Sequence, residues 1–146
     1  MSDTYYVKTF GGLEITNDNV TVNIVELFGK QLVNLLQVLL FHSEKPVQKD
    51  ELIDILWPES KNPSSALKFS IFRLRAELNE IEFFKDKEVI VTTRKGYILN
   101  PNLDWNIDFV ELEKAYNQIN DGSELLDEKE FKTARKIFRS KVVSML

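Results

Sequence analysis

Hydrophobic positions along the chain change period as it proceeds, and each change marks an element. The first stretches alternate and are rich in β-branched and aromatic residues: Tyr5 to Phe10, Leu13 to Ile15 and Val20 to Asn23. Gly11-Gly12 and Asn17-Asp18-Asn19 interrupt them, so short strands joined by turns are predicted, making a small antiparallel sheet that packs on helices. From Lys30 the spacing becomes helical. Leu32, Leu35, Leu36, Leu39 and Leu40 give a core helix to about His42, apolar over a wide face. Pro46 breaks the chain, and Lys49 to Leu56 form a short second helix with Leu52, Ile53 and Leu56 inward, halted by Trp57-Pro58, where Trp57 serves as a core anchor. In KNPSS, Asn62 suits an N-cap and Pro63 a first helical residue, so a third helix is predicted from Pro63 to Asn79. EVIVTTRKGYIL then holds two strand patterns around Arg94-Lys95-Gly96, a tight hairpin with cations at its tip.

The third helix carries the anomaly. In ALKFSIFRLRAEL (66–78), Leu67, Ile71, Leu74 and Leu78 share one stripe at about 100° per residue and must face a core. Phe69 falls on the far side, with Phe72 near its edge close to Ser65 and Arg73, while Lys68 and Arg75 flank the buried stripe. Burying a phenylalanine is worth roughly 1.5–3 kcal/mol, so two left outside beside arginine imply a partner. Three helices followed by a basic hairpin is the order of a winged helix-turn-helix, an α+β fold.

Charge changes this picture less than its total suggests. The net charge is −4, but residues 61–97 hold eight Lys or Arg against five Asp or Glu, and the acidic excess lies on either side. The positive block contains the helix with the outward phenylalanines. The chain has no cysteine, which excludes disulfides, thiolate nucleophiles and cysteine zinc sites. Its single histidine, His42, has no companion for a metal site and reads as a satisfied residue of a helix end. No secretory signal opens the sequence and no apolar run reaches about 18 residues, so a cytoplasmic protein without membrane contact is expected.

Beyond the hairpin, Phe109, Leu112, Tyr116 and Ile119 form a helical stripe behind a cap at Asp108. A turn is predicted at Asn120-Asp121-Gly122, then a second stripe of Phe131, Ala134 and Phe138, making a helical hairpin. One such hairpin cannot bury both of its faces, and repeat arrays need about three. The hairpin therefore either packs on the domain before it or opens a longer array; the second is expected, with a domain over 1–102 and, over 103–146, the start of a truncated helical-repeat domain.

KDELIDILW, the spaced RLRAEL and TRKGYIL together resemble the OmpR/PhoB winged-helix DNA-binding class, most of all the subclass at the N-terminus of SARP-type transcriptional activators. DWNIDFVELEKAYNQI resembles the start of the tetratricopeptide-like bacterial transcriptional activation domain. The resemblance spans about residues 5–120. Gln48 stands where relatives usually have Ser or Thr, Phe72 where they often have a polar or basic residue, and the wing is about one residue shorter.

The resemblance implies that the third helix enters the major groove and the wing reaches an adjacent minor groove or its phosphates. Carried over by position, Ser65, Phe69 and Arg73 face bases, and Ser70 and Arg75 face the backbone. Arg73 can pair with guanine O6 and N7, and Phe69 can lie on a thymine methyl. Lys68, Arg75, Arg94 and Lys95 suit phosphates, and Phe72 adds exposed apolar surface. The implied partners are double-stranded DNA in direct repeats, tandem head-to-tail protomers and RNA polymerase. No cofactor and no metal are expected.

Two other classes compete with a sequence-specific regulator. Overall acidity with exposed Phe69 and Phe72 also suits a winged helix turned into a protein-interaction module. An enzyme would need carboxylates such as Asp50, Glu51 and Asp54, but on a short helix these read as its solvated face, with no phosphate-binding glycine loop, nucleophile elbow or metal-ligand spacing beside them.

Overall fold

The computed structural model describes residues 4–123. Its first strands are β1 (Thr4–Lys8), β2 (Glu14–Asn17) and β3 (Val20–Asn23), antiparallel as expected. The positive φ of Asp18, 52°, lets the chain turn tightly enough for Asn17 to pair with Val20. Tyr5, Val7 and Ile15 point into the core while Tyr6 and Lys8 face out, the alternation a half-buried sheet requires.

A fourth strand escaped the sequence reading. β6 (Asp104–Ile107) adds to β1 in parallel, pairing Thr4 with Asp104 and Val7 with Ile107, so the sheet runs β3-β2-β1-β6 and is not wholly antiparallel. The four residues do alternate, but the helical stripe that follows masks so short a period. Asp108 was expected to cap that helix. Its carboxylate instead accepts from the Thr9 N–H at 2.9 and 3.0 Å, the Thr9 hydroxyl at 2.5 Å and the Phe10 N–H at 3.3 Å, besides the adjacent Phe109 N–H. It stands in for a strand partner where β1 outruns β6.

A short α1 (Ile24–Leu27) follows β3, capped by the Asn23 side chain, which accepts from the Glu26 N–H. Then α2 (Lys30–Phe41), α3 (Lys49–Leu56) and α4 (Pro63–Asn79) occupy the predicted spans, with His42 as the C-cap of α2. His42 Nδ1 lies 2.9 Å from the Val38 carbonyl, a helix-end bond of the kind expected. Asn62 holds the N-cap position of α4 but makes no capping bond, so Pro63, with φ already set, starts the helix. Gln48 likewise caps α3 in position only. Trp57 is half-buried against the core. α2 packs against α3, α4 and the hairpin. A 3-10 turn at Glu82–Phe84 places Phe84 beside Tyr5 and Trp105, with ring centroids 4.8 and 5.8 Å away, joining the helices to the sheet.

The hairpin consists of β4 (Ile90–Thr93) and β5 (Gly96–Leu99). Val47 occupies the outer edge of β5: its N–H donates to the Tyr97 carbonyl at 2.8 Å and its carbonyl accepts from the Tyr97 N–H at 3.0 Å. Gly96 is required there twice over, since its φ is 138° and a Cβ would come within 1.9 Å of the Val47 carbonyl oxygen.

α5 (Asp108–Ser123) continues through Asn120-Asp121-Gly122, where a turn was expected. One glycine costs a helix only about 1 kcal/mol, which its neighbours can outweigh. Of the stripe predicted here, Phe109 is buried against Phe41 and Tyr116 is half-buried, but Leu112 is 53% exposed. The side chain of Ile119 and the second stripe of Phe131, Ala134 and Phe138, with its hairpin, lie outside the described residues. Among the described residues no helix is long and apolar enough to cross a membrane.

Candidate nucleic-acid interface

Because Leu67, Ile71, Leu74 and Leu78 fix one side of α4 in the core, the remaining turns are committed to solvent. Ser65, Lys68, Phe69, Phe72 and Arg73 all stand exposed there, Phe69 at 62% and Phe72 at 69%. The Arg73 guanidinium lies 6.0 Å from the centre of the Phe69 ring, one turn back. A cation held over a ring face gains about 0.5–1 kcal/mol at an exposed site, so the two side chains are presented together.

Two residues assigned to the DNA backbone are placed differently from the rest. Ser70 is only 8% exposed, so it corrects the expectation that it faces phosphates. Leu67 and Leu74 stand three residues before and four after it, and its small side chain turns inward between them. Arg75 is half-buried and faces the hairpin: Nε and Nη2 donate to the Ile90 carbonyl at 3.3 and 3.1 Å, and Nη2 to the Thr92 hydroxyl at 2.7 Å.

Those bonds set the hairpin beside α4. At its tip Arg94 and Lys95 are exposed, neither with a positive φ. Thr93 shapes the turn, accepting from the Lys95 N–H and donating to the Gly96 carbonyl, both at 3.1 Å. Among the described residues no carboxylate pairs with Lys68, Arg73, Arg94 or Lys95, whereas Lys114 is engaged with Glu44 at 3.5 Å on another face. Asp50, Glu51 and Asp54 are exposed, as a solvated face should be.

The sequence reading missed Thr92 and Tyr97 as parts of this region. Tyr97 is buried with Arg75 and Lys49 cations 5.9 and 6.0 Å from its ring centre. No local pattern points to either role, since both depend on α4 and the hairpin meeting.

The resulting surface joins a helix face of hydroxyl, phenyl and guanidinium groups to a second, cationic projection. Its exposed helix matches the width of a DNA major groove, and its unpaired cations match phosphate.

Residues 21–99 match the family model described as "Transcriptional regulatory protein, C terminal", from within β3 to the end of β5. No curated protein matches the chain. Among solved structures it resembles the DNA-binding domain of Escherichia coli CadC at 27% identity and a TM-score of 0.46, over 59% of this chain and 77% of that one. It also resembles Mycobacterium tuberculosis EmbR, solved with a low-affinity phosphopeptide, at 23% identity and a TM-score of 0.50, over 65% of this chain and 24% of that one. The second likeness bears on fold alone. With the family match covering just over half of the 146 residues and the three helices and hairpin in that family's order, the chain belongs to the transcriptional regulatory protein C-terminal family, the non-enzymatic winged-helix DNA-binding domains of the OmpR/PhoB type.

Proposed function

We propose that this domain regulates transcription by reading a specific DNA sequence, with α4 in the major groove and the wing on adjacent backbone or in the minor groove. The observation that carries the reading is the outward face of α4, where Phe69 and Arg73 stand exposed as a pair beside unpaired wing cations. Ser65, Phe69 and Arg73 meet base edges, Arg73 pairing with guanine and Phe69 lying on a thymine methyl. Lys68, Arg94 and Lys95 meet phosphates, and Phe72 lies at the edge of the groove. Protomers in tandem on direct repeats, with RNA polymerase as a further partner, complete a SARP-like activator working in the cytoplasm. The division expected at residues 102 and 103 is drawn a few residues later in this reading, after β6, with the pairing of β6 to β1 as its support. The remainder, by its resemblance to activation-domain sequences, begins a helical-repeat domain, a reading that the exposure of Leu112 on α5 supports.

Selection of bound sequences from random duplex DNA at two salt concentrations tests this. A short repeated motif should be enriched. With about three phosphates neutralised per protomer, log affinity against log salt should fall with a slope near −3, steeper for a tandem pair. Arg73→Ala should cost about 1–3 kcal/mol on the preferred site and little on arbitrary DNA, while Lys95→Ala should weaken all sequences alike. A slope near zero, or no binding, would reject the DNA contacts and favour the protein-interaction use of Phe69 and Phe72.

A further inference from the structure

The two-stranded wing has two open edges, and the structure closes each by a different device. On β5, Val47 takes both the N–H and the carbonyl of Tyr97. On β4, the edge nearest α4, no strand adds among the described residues: the four-stranded sheet is separate, and β4 is paired with β5 alone. The Ile90 carbonyl and the Thr92 hydroxyl instead receive Arg75. Ile90 and Thr92 are alternate residues of β4, so their side chains share one face and their carbonyls one edge, and Arg75 takes the carbonyl of the first and the hydroxyl of the second. One planar guanidinium therefore bridges two successive outward positions of the strand, which its fork of donors allows and the point charge of a lysine does not.

We propose that Arg75 is a positioning residue for the wing and not a phosphate contact. It clamps β4 to α4 and thereby sets the separation between the base-facing residues of the helix and the cations at Arg94-Lys95. A two-stranded hairpin is marginal by itself, so its orientation depends on what holds its edges. A wing held in place before binding spares the ordering cost that a loose one meets on the DNA. The stacking of the Arg75 guanidinium near the Tyr97 ring, with Tyr97 itself bonded to Val47, extends the clamp across the hairpin. The consequence for DNA rests on the function proposed above; the clamp does not.

The experiment therefore has an arm without DNA. Amide hydrogen exchange is followed in the free protein for the wild type, Arg75→Lys, Arg75→Ala and Thr92→Val. Exchange of the wing amides from Ile90 to Leu99 should rise about tenfold in both Arg75 variants, the scale of one lost charge-assisted hydrogen bond. It should rise less in Thr92→Val, and α2 should exchange as before. In the double variant of Arg75→Ala with Thr92→Val the rise should not exceed that of Arg75→Ala alone. Unchanged wing exchange in Arg75→Lys and Arg75→Ala overturns the proposal.

On duplex DNA, Arg75→Lys should weaken binding when both wing cations are present and have little effect in a background of Arg94→Ala with Lys95→Ala, because the clamp acts through the wing. Equal losses in the two backgrounds, or full retention of affinity by Arg75→Lys, would mark Arg75 as a direct phosphate contact and overturn the positioning role. Failure of the wild type to bind DNA would strike the proposed function while the exchange arm still decides the clamp.

Discussion

Nine of the twelve residues of α2 are buried, including the amide of Gln37, whereas five of the seventeen in α4 are, and two of its phenylalanines stand in water. The two helices pack against each other, so the contrast is one of surroundings. α2 meets α1, α3, α4 and the wing and has almost no open side. α4 touches the core by one stripe and the wing through Arg75, and leaves the face of Ser65, Phe69, Phe72 and Arg73 open. Each helix consequently carries a residue against type. Gln37 is 0% exposed, and among the described residues neither of its amide atoms has a hydrogen-bond partner, nor does the buried Oδ1 of Asn34 one turn earlier. An unpartnered buried polar group costs about 1–3 kcal/mol. Phe69 and Phe72 leave a comparable gain unrealised on the opposite account, roughly 1.5–3 kcal/mol each. In α2 the cost is offset within the fold by the apolar residues around it. In α4 the gain becomes available when a partner covers the face.

The contrast can be attacked first where it is strongest. Leu36→Ala in α2 and Leu74→Ala in α4 both remove fully buried side chains and should each lower unfolding free energy by about 2–5 kcal/mol in denaturant titration. Losses below about 1 kcal/mol would show that the two helices do not share one core.

Gln37→Met tests the cost assigned to α2. It keeps an unbranched side chain of similar length and removes the unpartnered amide, so stability should rise by about 1 kcal/mol by thermal or denaturant unfolding. A clear loss would show that the amide is satisfied in solution, and that α2 does not pack against type.

The smallest effect on stability should come from the most conspicuous residues. Phe69→Ser and Phe72→Ser should change unfolding free energy by no more than about 0.5 kcal/mol, as surface substitutions do, while DNA affinity falls. A loss of 3–5 kcal/mol, the scale of a core phenylalanine, would mean that this face of α4 is covered.

The legible part of the fold is the part with strong local periodicity. α2, α3 and α4 lie where their leucine spacing and the Pro46, Trp57-Pro58 and Pro63 signals put them, and the hairpin turns at Arg94-Lys95 as its flanking β-branched residues predict. The outward placement of Ser65, Lys68, Phe69, Phe72 and Arg73 follows from the same wheel, because four buried leucine and isoleucine positions leave a helix no rotational freedom. Where two positions lie near the boundary of the stripe, the wheel fails. Ser70 is drawn in by its small size and Arg75 by acceptors on a strand fifteen residues away.

Sequence by itself thus determined the three helices α2 to α4, the first three strands and the hairpin, which face of α4 meets water, and that its cations sit apart from the acidic remainder. The tertiary structure alone decided that β6 returns to pair in parallel with β1, that Asp108 reaches back to Thr9 and Phe10 as well as the Phe109 N–H of its own helix, and that Arg75 holds the edge of the wing. The physical reason is common to all three. Each is a hydrogen bond to main-chain or hydroxyl groups far along the chain, and such acceptors and donors are present at nearly every residue. They leave no mark on the pattern of polar and apolar side chains, so only the packing that brings the segments together selects among them.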